Sequence, residues 1–262
     1  MKTINDIPNL DYTQEILDLS SMEIDSLEGI EKFQNLKVLV AQNNNISEIE
    51  FLNNLSELKT LILSGNHILK IENLEKLVSL QYLDLSENNI SNIENLEYQN
   101  KLEFLDLTYN KLDSIRNLEC LISLKYLNLS NNNISRLENL DNLKSLEKLY
   151  LYTNSIEKIE GLDNLGQLKE LDLDHNSISK LENLDKLIQL EELSLSGNTI
   201  KKIQNLSNLI QLQRLHLKAN EITEIENIEH FTNLEILSLE KNPFKIKDKE
   251  ELINRYTYDF RI

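Results

Sequence analysis

Residues 80–112 read LQYLDLSENNISNIENLEYQNKLEFLDLTYNKL, and the stretch is one pattern begun twice, 22 residues apart. Leu80 and Leu102 open the two copies; Leu83 and Leu105 follow three residues on, Leu85 and Leu107 at the sixth place, Asn88 and Asn110 at the ninth. Working outward, the same opening Leu recurs at Leu36, Leu58, Leu124, Leu146, Leu168, Leu190, Leu212 and Leu234. The ninth position is Asn every time, at Asn44, Asn66, Asn88, Asn110, Asn132, Asn154, Asn176, Asn198, Asn220 and Asn242. Ile or Leu then occupies positions 11, 14 and 17, and mostly Leu position 20. An imperfect copy precedes these, with Leu17, Leu19, Ile24, Leu27, Ile30 and Phe33 but Met22 in place of Asn. Nothing breaks the register from residue 14 to about 244.

The spacing carries the structure. Alternation around positions 4 and 6 has the period of a strand and turns those Leu side chains inward. Steps of three through positions 11, 14, 17 and 20 suit 3₁₀ or irregular turns, and 22 residues leave no room for a full helix on that side. No single repeat can bury its own Leu and Ile, so stacking must supply the walls of a continuous core. The expected fold is a β-rich α/β solenoid: a curved right-handed coil with a parallel concave sheet and a 3₁₀ or irregular convex side. An amide at position 9 satisfies backbone N–H and C=O groups where the chain turns inside the stack. Position 16 is Asn or Gly in nine of ten repeats (Gly29, Asn73, Asn95, Asn117, Asn139, Gly161, Asn183, Asn205, Asn227), with Phe51 the exception, which marks a left-handed turn residue.

Composition agrees. The chain has 262 residues with 53 Leu, 29 Ile and 35 Asn, against 5 Gly, 1 Cys and no Trp. A lone Cys120 excludes an intrachain disulfide framework, no apolar run reaches membrane-spanning length, and the start at Met1 has no apolar h-region. Lys and Arg number 27 against 44 Asp and Glu, a net charge of −17, which argues against nucleic acid as partner. A Glu column at position 15 (Glu28, Glu50, Glu72, Glu94, Glu138, Glu160, Glu182, Glu226) accounts for much of that charge and reads as a solvated convex face. The four His, His67, His175, His216 and His230, lie in different repeats without metal-ligand spacing, and no GxSxG occurs. No cofactor, metal or catalytic residue is therefore expected. An Asp172–Asp174 carboxylate dyad is the one catalytic alternative, on a face too open to exclude water.

One domain over residues 1–262 is expected: an N-terminal cap and imperfect repeat at 1–35, regular repeats at 36–243, and a C-terminal cap at 244–262. In that cap Asp248-Lys249-Glu250-Glu251 reads as a capping box opening a short helix. Tyr258, Phe260 and Ile262 alternate as a final strand or lid.

Strand positions 3 and 5 point away from the core, and repeat proteins bind on that face. An apolar zone comes first (Ile16, Val38, Val40, Ile62), either covered by residues 1–13 or itself a binding site. Next come Tyr82, Phe104 and Tyr126 beside Asp84 and Asp106, an aromatic strip of the kind that anchors interfaces. Tyr150 and Tyr152 precede an acidic zone of Glu170, Asp172, Asp174 and Glu192, followed by a basic zone of Arg214, His216 and Lys218.

The pattern LxxLxLxxNxI resembles the leucine-rich repeat. The IENL and IEGL elements, as in Ile71-Glu72-Asn73-Leu74 and Ile159-Glu160-Gly161-Leu162, are similar to its 22-residue subclass, above all to the leucine-rich regulatory subunits of type 1 protein phosphatase. Leu239-Glu240-Lys241-Asn242-Pro243 resembles the start of their C-terminal cap. The resemblance implies a concave face that docks the phosphatase catalytic subunit, the matching positions being Tyr82, Asp84, Phe104, Asp106, Tyr126, Tyr150 and Asp172. Two departures are the missing late-repeat Trp and a cap that ends soon after Tyr256. Bacterial internalins share the subclass, so an adhesion or surface-recognition module is the alternative. The expectation is a monomeric, non-enzymatic scaffold of the cytoplasm or nucleus that binds a folded protein, with no nucleic-acid or membrane partner.

Overall fold

Every repeat lays down one three-residue strand at positions 3 to 5. The computed structural model describes residues 1–224, 228, 231–243 and 260–261. They fall into two compact units, Met1–Asn132 and Asn133–Ile262. The first holds β1 (Ile16–Asp18), β2 (Val38–Val40), β3 (Thr60–Ile62), β4 (Tyr82–Asp84), β5 (Phe104–Asp106) and β6 (Tyr126–Asn128). The second holds β7 (Lys148–Tyr150), β8 (Glu170–Asp172), β9 (Glu192–Ser194), β10 (Arg214–His216), β11 (Ile236–Ser238) and β12 (Phe260–Arg261). Within each unit the strands pair in parallel and in sequence order, so each residue meets its equivalent 22 residues on, as Leu83 meets Leu105 and Leu171 meets Leu193. The final strand expected at Phe260 is present and pairs with β11. The helix expected from Asp248, and Tyr258 and Ile262, lie outside the described residues.

The core is the Leu and Ile columns. The central strand residues Leu39, Leu61, Leu83, Leu105 and Leu127 are buried, as are Leu149, Leu171, Leu193 and Leu215, and so are the Leu and Ile columns of the turn side. That side has no α-helix among the described residues. It is built of successive i to i+3 bonds, Leu55 N–H to the Leu52 carbonyl at 3.0 Å and Leu58 N–H to Leu55 at 3.0 Å, repeated at Leu77 and Leu80. Three-residue bonding turns explain the three-residue spacing of the apolar columns. One member departs: Gln99 occupies a position-20 slot, fully buried, its Nε2 donating to the Leu74 carbonyl at 2.8 Å and its Oε1 without a partner.

The position-9 asparagines form the expected ladder. Asn88 Oδ1 accepts the Ile68 N–H at 2.9 Å, while its Nδ2 donates to the carbonyls of Leu63, Leu85 and Ser86. The same set recurs at Asn66, Asn110 and Asn198. Position 16 is left-handed as expected, at Asn73, Asn95, Asn117, Asn183 and Asn205, and also at Phe51, whose φ is 65°. The structure adds a second ladder there: Asn73, Asn95 and Asn117 each donate Nδ2 to the carbonyl 24 residues earlier, at 2.6 to 2.7 Å. Position 8 is left-handed too, and there the residues include Glu87, Tyr109, Thr153 and His175. Their N–H groups reach the next repeat, as Glu87 N–H does at the Thr108 carbonyl (2.8 Å). Inter-repeat hydrogen bonding thus holds a conformation that side-chain type alone would not select.

At the front, Ile4 is buried and its N–H bonds to the Glu28 carbonyl at 3.1 Å. The Lys2 carbonyl accepts the Asp25 N–H, and Tyr12 packs edge-on against Phe33 at 5.0 Å. Residues 1–13 therefore cap the turns of the imperfect repeat.

Candidate functional site

With the cap on the turn side, the outward strand face of the first unit is left open. Ile16 is 64% exposed, and Val38, Val40 and Ile62 are half-buried. The open question about this apolar zone resolves toward an uncovered surface. Strand register then places Ile16, Val38, Thr60, Tyr82, Phe104 and Tyr126 in one row, and Asp18, Val40, Ile62, Asp84, Asp106 and Asn128 in the row beside it.

The three rings come together as a stack. Tyr82 and Phe104 have centroids 4.0 Å apart with planes 6° from parallel; Phe104 and Tyr126 are 4.2 Å apart at 10°. In-register pairing of parallel strands holds the rings near the strand spacing. Their stacked faces cover one another, and each of the three residues is half-buried. Burial raises the Tyr82 hydroxyl above its ordinary pKa, with the Asp84 and Asp106 charges adding to it, so it stays protonated as a donor.

Asp84 and Asp106 sit side by side on β4 and β5. Each also caps its own strand: Asp84 Oδ1 accepts from Ser86 N–H (3.0 Å) and Oγ (2.7 Å), and Asp106 Oδ1 accepts from Thr108 N–H (2.8 Å). Asn128 Nδ2 stands 3.5 Å from Asp106 Oδ2. Burial, then the neighbouring Asp84 charge, raises the Asp106 carboxyl against the lowering pull of those hydrogen bonds. Among the described residues no basic side chain reaches either carboxylate.

In the second unit acidic and basic side chains of neighbouring strands are paired. Glu170 is held by Lys148 Nζ at 2.8 Å and by the Tyr150 hydroxyl. Glu192 takes Arg214 Nε at 2.6 Å, with His216 Nε2 3.8 Å away. Charges of both signs at position 3 in adjacent repeats pair across the strands. The sequence carries that signal as opposite charges 22 residues apart. Asp172 and Asp174 do not bond each other through their carboxylates: Asp172 Oδ1 accepts the Asp174 N–H at 2.9 Å, and Asp174 Oδ1 the Ser196 N–H at 2.5 Å. Burial foremost, then the Asp174 and Glu192 charges, pushes the Asp172 carboxyl up to about 6. Burial raises Asp174 as well and lowers His216. Tyr152 lies half-buried just beyond β7.

A family model described as leucine rich repeats (2 copies) matches residues 34–76, 56–98, 122–164 and 167–208, together more than half of the chain. Comparison with curated protein sequences gives no significant match. Among solved structures, the chain is similar to a leucine-rich-repeat protein of Leptospira interrogans, at 27% identity and a TM-score of 0.73 over 89% of this chain and 74% of that one. It is similar to the internalin InlF of Listeria monocytogenes at 28% identity and a TM-score of 0.62, over 94% of this chain and 86% of that one. Internalin C2 of the same organism is 32% identical with a TM-score of 0.64, over 67% of this chain and 78% of that one.

Proposed function

The chain belongs to the leucine-rich-repeat family, and from that premise we propose that it is a non-enzymatic scaffold that grips a folded protein partner on its outward strand face. The observation that carries this is the half-exposed stack of Tyr82, Phe104 and Tyr126 in the first unit. Aromatic side chains supply large contact area at small conformational cost and dominate interface energetics. Here the strands already hold them rigid, so little entropy remains to be lost on binding. In the second unit Tyr150, Tyr152, Glu170, Asp172, Asp174 and Glu192 make the corresponding surface. A phosphatase catalytic subunit is the finer proposal, supported by the match of strand residues to the phosphatase regulators noted in the sequence.

Similarity to two internalins of Listeria monocytogenes favours a second reading, a surface-recognition module. Cell fractionation separates the two, since the module must be found outside the cytoplasm and a phosphatase regulator within it. The scaffold itself is tested by replacing Tyr82, Phe104 and Tyr126 together by Ala. The variant keeps its far-ultraviolet circular dichroism and loses the partner that the unaltered chain captures from native lysate. A variant that still captures it removes the aromatic stack as anchor.

A further inference from the structure

On the outward strand face, the acids paired with a cation are those of position 3 in the second unit; the position-5 acids, Asp84 and Asp106 in the first unit and Asp172 in the second, are in no ion pair among the described residues. On the second, Glu170 and Glu192 each have a cation of the chain itself against them, Lys148 at 2.8 Å and Arg214 at 2.6 Å. On the first, Asp84 and Asp106 stand next to each other with no basic side chain of the described residues in reach, and each is fixed by its own strand-end hydrogen bonds. The two carboxylates lie beside a half-exposed row of Ile16, Val38, Thr60 and the three rings, apolar but for Thr60 and widened by Val40 and Ile62.

We propose that the outward strand face of β1 to β6 docks a basic-apolar segment of a protein partner, with an arginine of that segment seated across Asp84 and Asp106. Its neighbouring apolar side chains then lie on Phe104 and on the Val40–Ile62 patch. The proposal rests on the scaffold reading above and adds the chemistry of the occupant. Charge complementarity selects a basic partner, since the face carries three fixed carboxylates, Asp18 and the adjacent pair Asp84 and Asp106, in a chain of net charge −17. Geometry selects arginine over lysine. Two carboxylates on adjacent strands are about 5 Å apart, a span a planar guanidinium with five donors can bridge and a single ammonium serves less well. One strand further along the second row, Asp84 gives way to Ile62 and then to Val40. The segment must therefore turn apolar within about 5–10 Å of its arginine.

A random dodecapeptide phage library panned on the full chain tests this. The expected pool is enriched in Arg flanked by aromatic or branched apolar residues. A synthetic peptide from that pool loses at least ten-fold in affinity when its Arg is replaced by citrulline, and equally on the Asp84→Asn, Asp106→Asn double variant. The Asn side chains keep an oxygen for the Ser86 and Thr108 N–H groups, so the strand ends stay capped. A double variant of matched charge on the turn side, Glu75→Gln with Glu97→Gln, binds the peptide as the unaltered chain does. A pool with no basic enrichment, or binding indifferent to Asp84→Asn and Asp106→Asn, overturns the proposal. So does concentration-dependent self-association abolished by Tyr82→Ala, Phe104→Ala and Tyr126→Ala, which makes a second copy the occupant. If that triple variant loses the peptide and the Asn double variant keeps it, the aromatic anchor stands and the arginine site falls. If the triple variant keeps it, the aromatic anchor falls, and the Asn double variant alone decides the arginine site.

Discussion

Replacing Asn88 by Ala isolates what one rung of the position-9 ladder contributes. The side chain makes four hydrogen bonds, yet they are unequal. The carbonyls that receive its Nδ2 each keep another donor: Leu63 keeps Asn66 at 2.9 Å, Leu85 keeps Asn110 at 3.0 Å, and Ser86 keeps the Gly65 N–H at 3.0 Å. The Ile68 N–H has Asn88 Oδ1 alone, in a buried setting. One orphaned buried N–H costs about 1–3 kcal/mol, and shared acceptors losing their second donor add little. The expected cost of Asn88→Ala is therefore about 2 kcal/mol, or a midpoint lowered by about 4–8 °C. Thermal and urea unfolding followed by circular dichroism measure it, with Asn92→Ala as control, since the side chain of exposed Asn92 hydrogen-bonds, among the described residues, to Ser91 Oγ alone. Asn88→Asp keeps the acceptor for Ile68 but sets a carboxylate against three carbonyls. It should be worse than Ala at pH 7 and recover as pH falls. An Asn88→Ala midpoint equal to that of Asn92→Ala refutes the ladder as a source of stability.

Three further outcomes follow from single residues. Phe51→Asn relieves a bulky residue held at φ 65° and should stabilise by about 1 kcal/mol, read as a raised urea midpoint. Gln99→Leu removes the unpartnered Oε1 and matches the Leu of the neighbouring repeats, while the Leu74 carbonyl keeps the Leu77 N–H at 2.9 Å. It should stabilise by about 1–3 kcal/mol, and a lowered midpoint contradicts that. Folded Asp172 holds its proton up to about pH 6, whereas the unfolded chain releases it near 4. Stability thus falls as pH rises through that window and the deficit persists above it. Asp172→Asn retains an oxygen for the Asp174 N–H, so it should be about 2–3 kcal/mol more stable than the unaltered chain at pH 7.5. The two should be equal at pH 3.5, and a pH-independent difference rejects the buried carboxyl as its cause.

The strand positions, the buried columns, the 3₁₀ turns and the Asn88 type of rung were all legible, because each is a local pattern copied at a fixed period. What was not legible depends on contact between copies. The left-handed position 8 hides in the sequence because Glu87, Tyr109, Thr153 and His175 share no residue type; only the bond from each N–H to the next repeat imposes it. The second ladder was missed for the same reason, since Asn73 looked sufficient as a turn former and its Nδ2 finds Ile49 only when repeats stack. At the site, the row of Tyr82, Phe104 and Tyr126 was read from strand alternation alone. The pairing of Lys148 with Glu170 and of Arg214 with Glu192 is not a feature of either repeat alone, since each ion pair forms only between residues 22 apart that stacking brings side by side.

Hydroxyl-radical footprinting of the chain with and without its captured partner tests the central claim most directly. Tyr98 and Tyr109 lie off the strand face and are 52% and 56% exposed, which makes them internal controls. A partner gripped on the strand face protects Tyr82, Phe104 and Tyr126 and leaves Tyr98 reacting as before. Protection of Tyr98 with the three stacked rings unchanged would place the partner on the turn side and contradict the account.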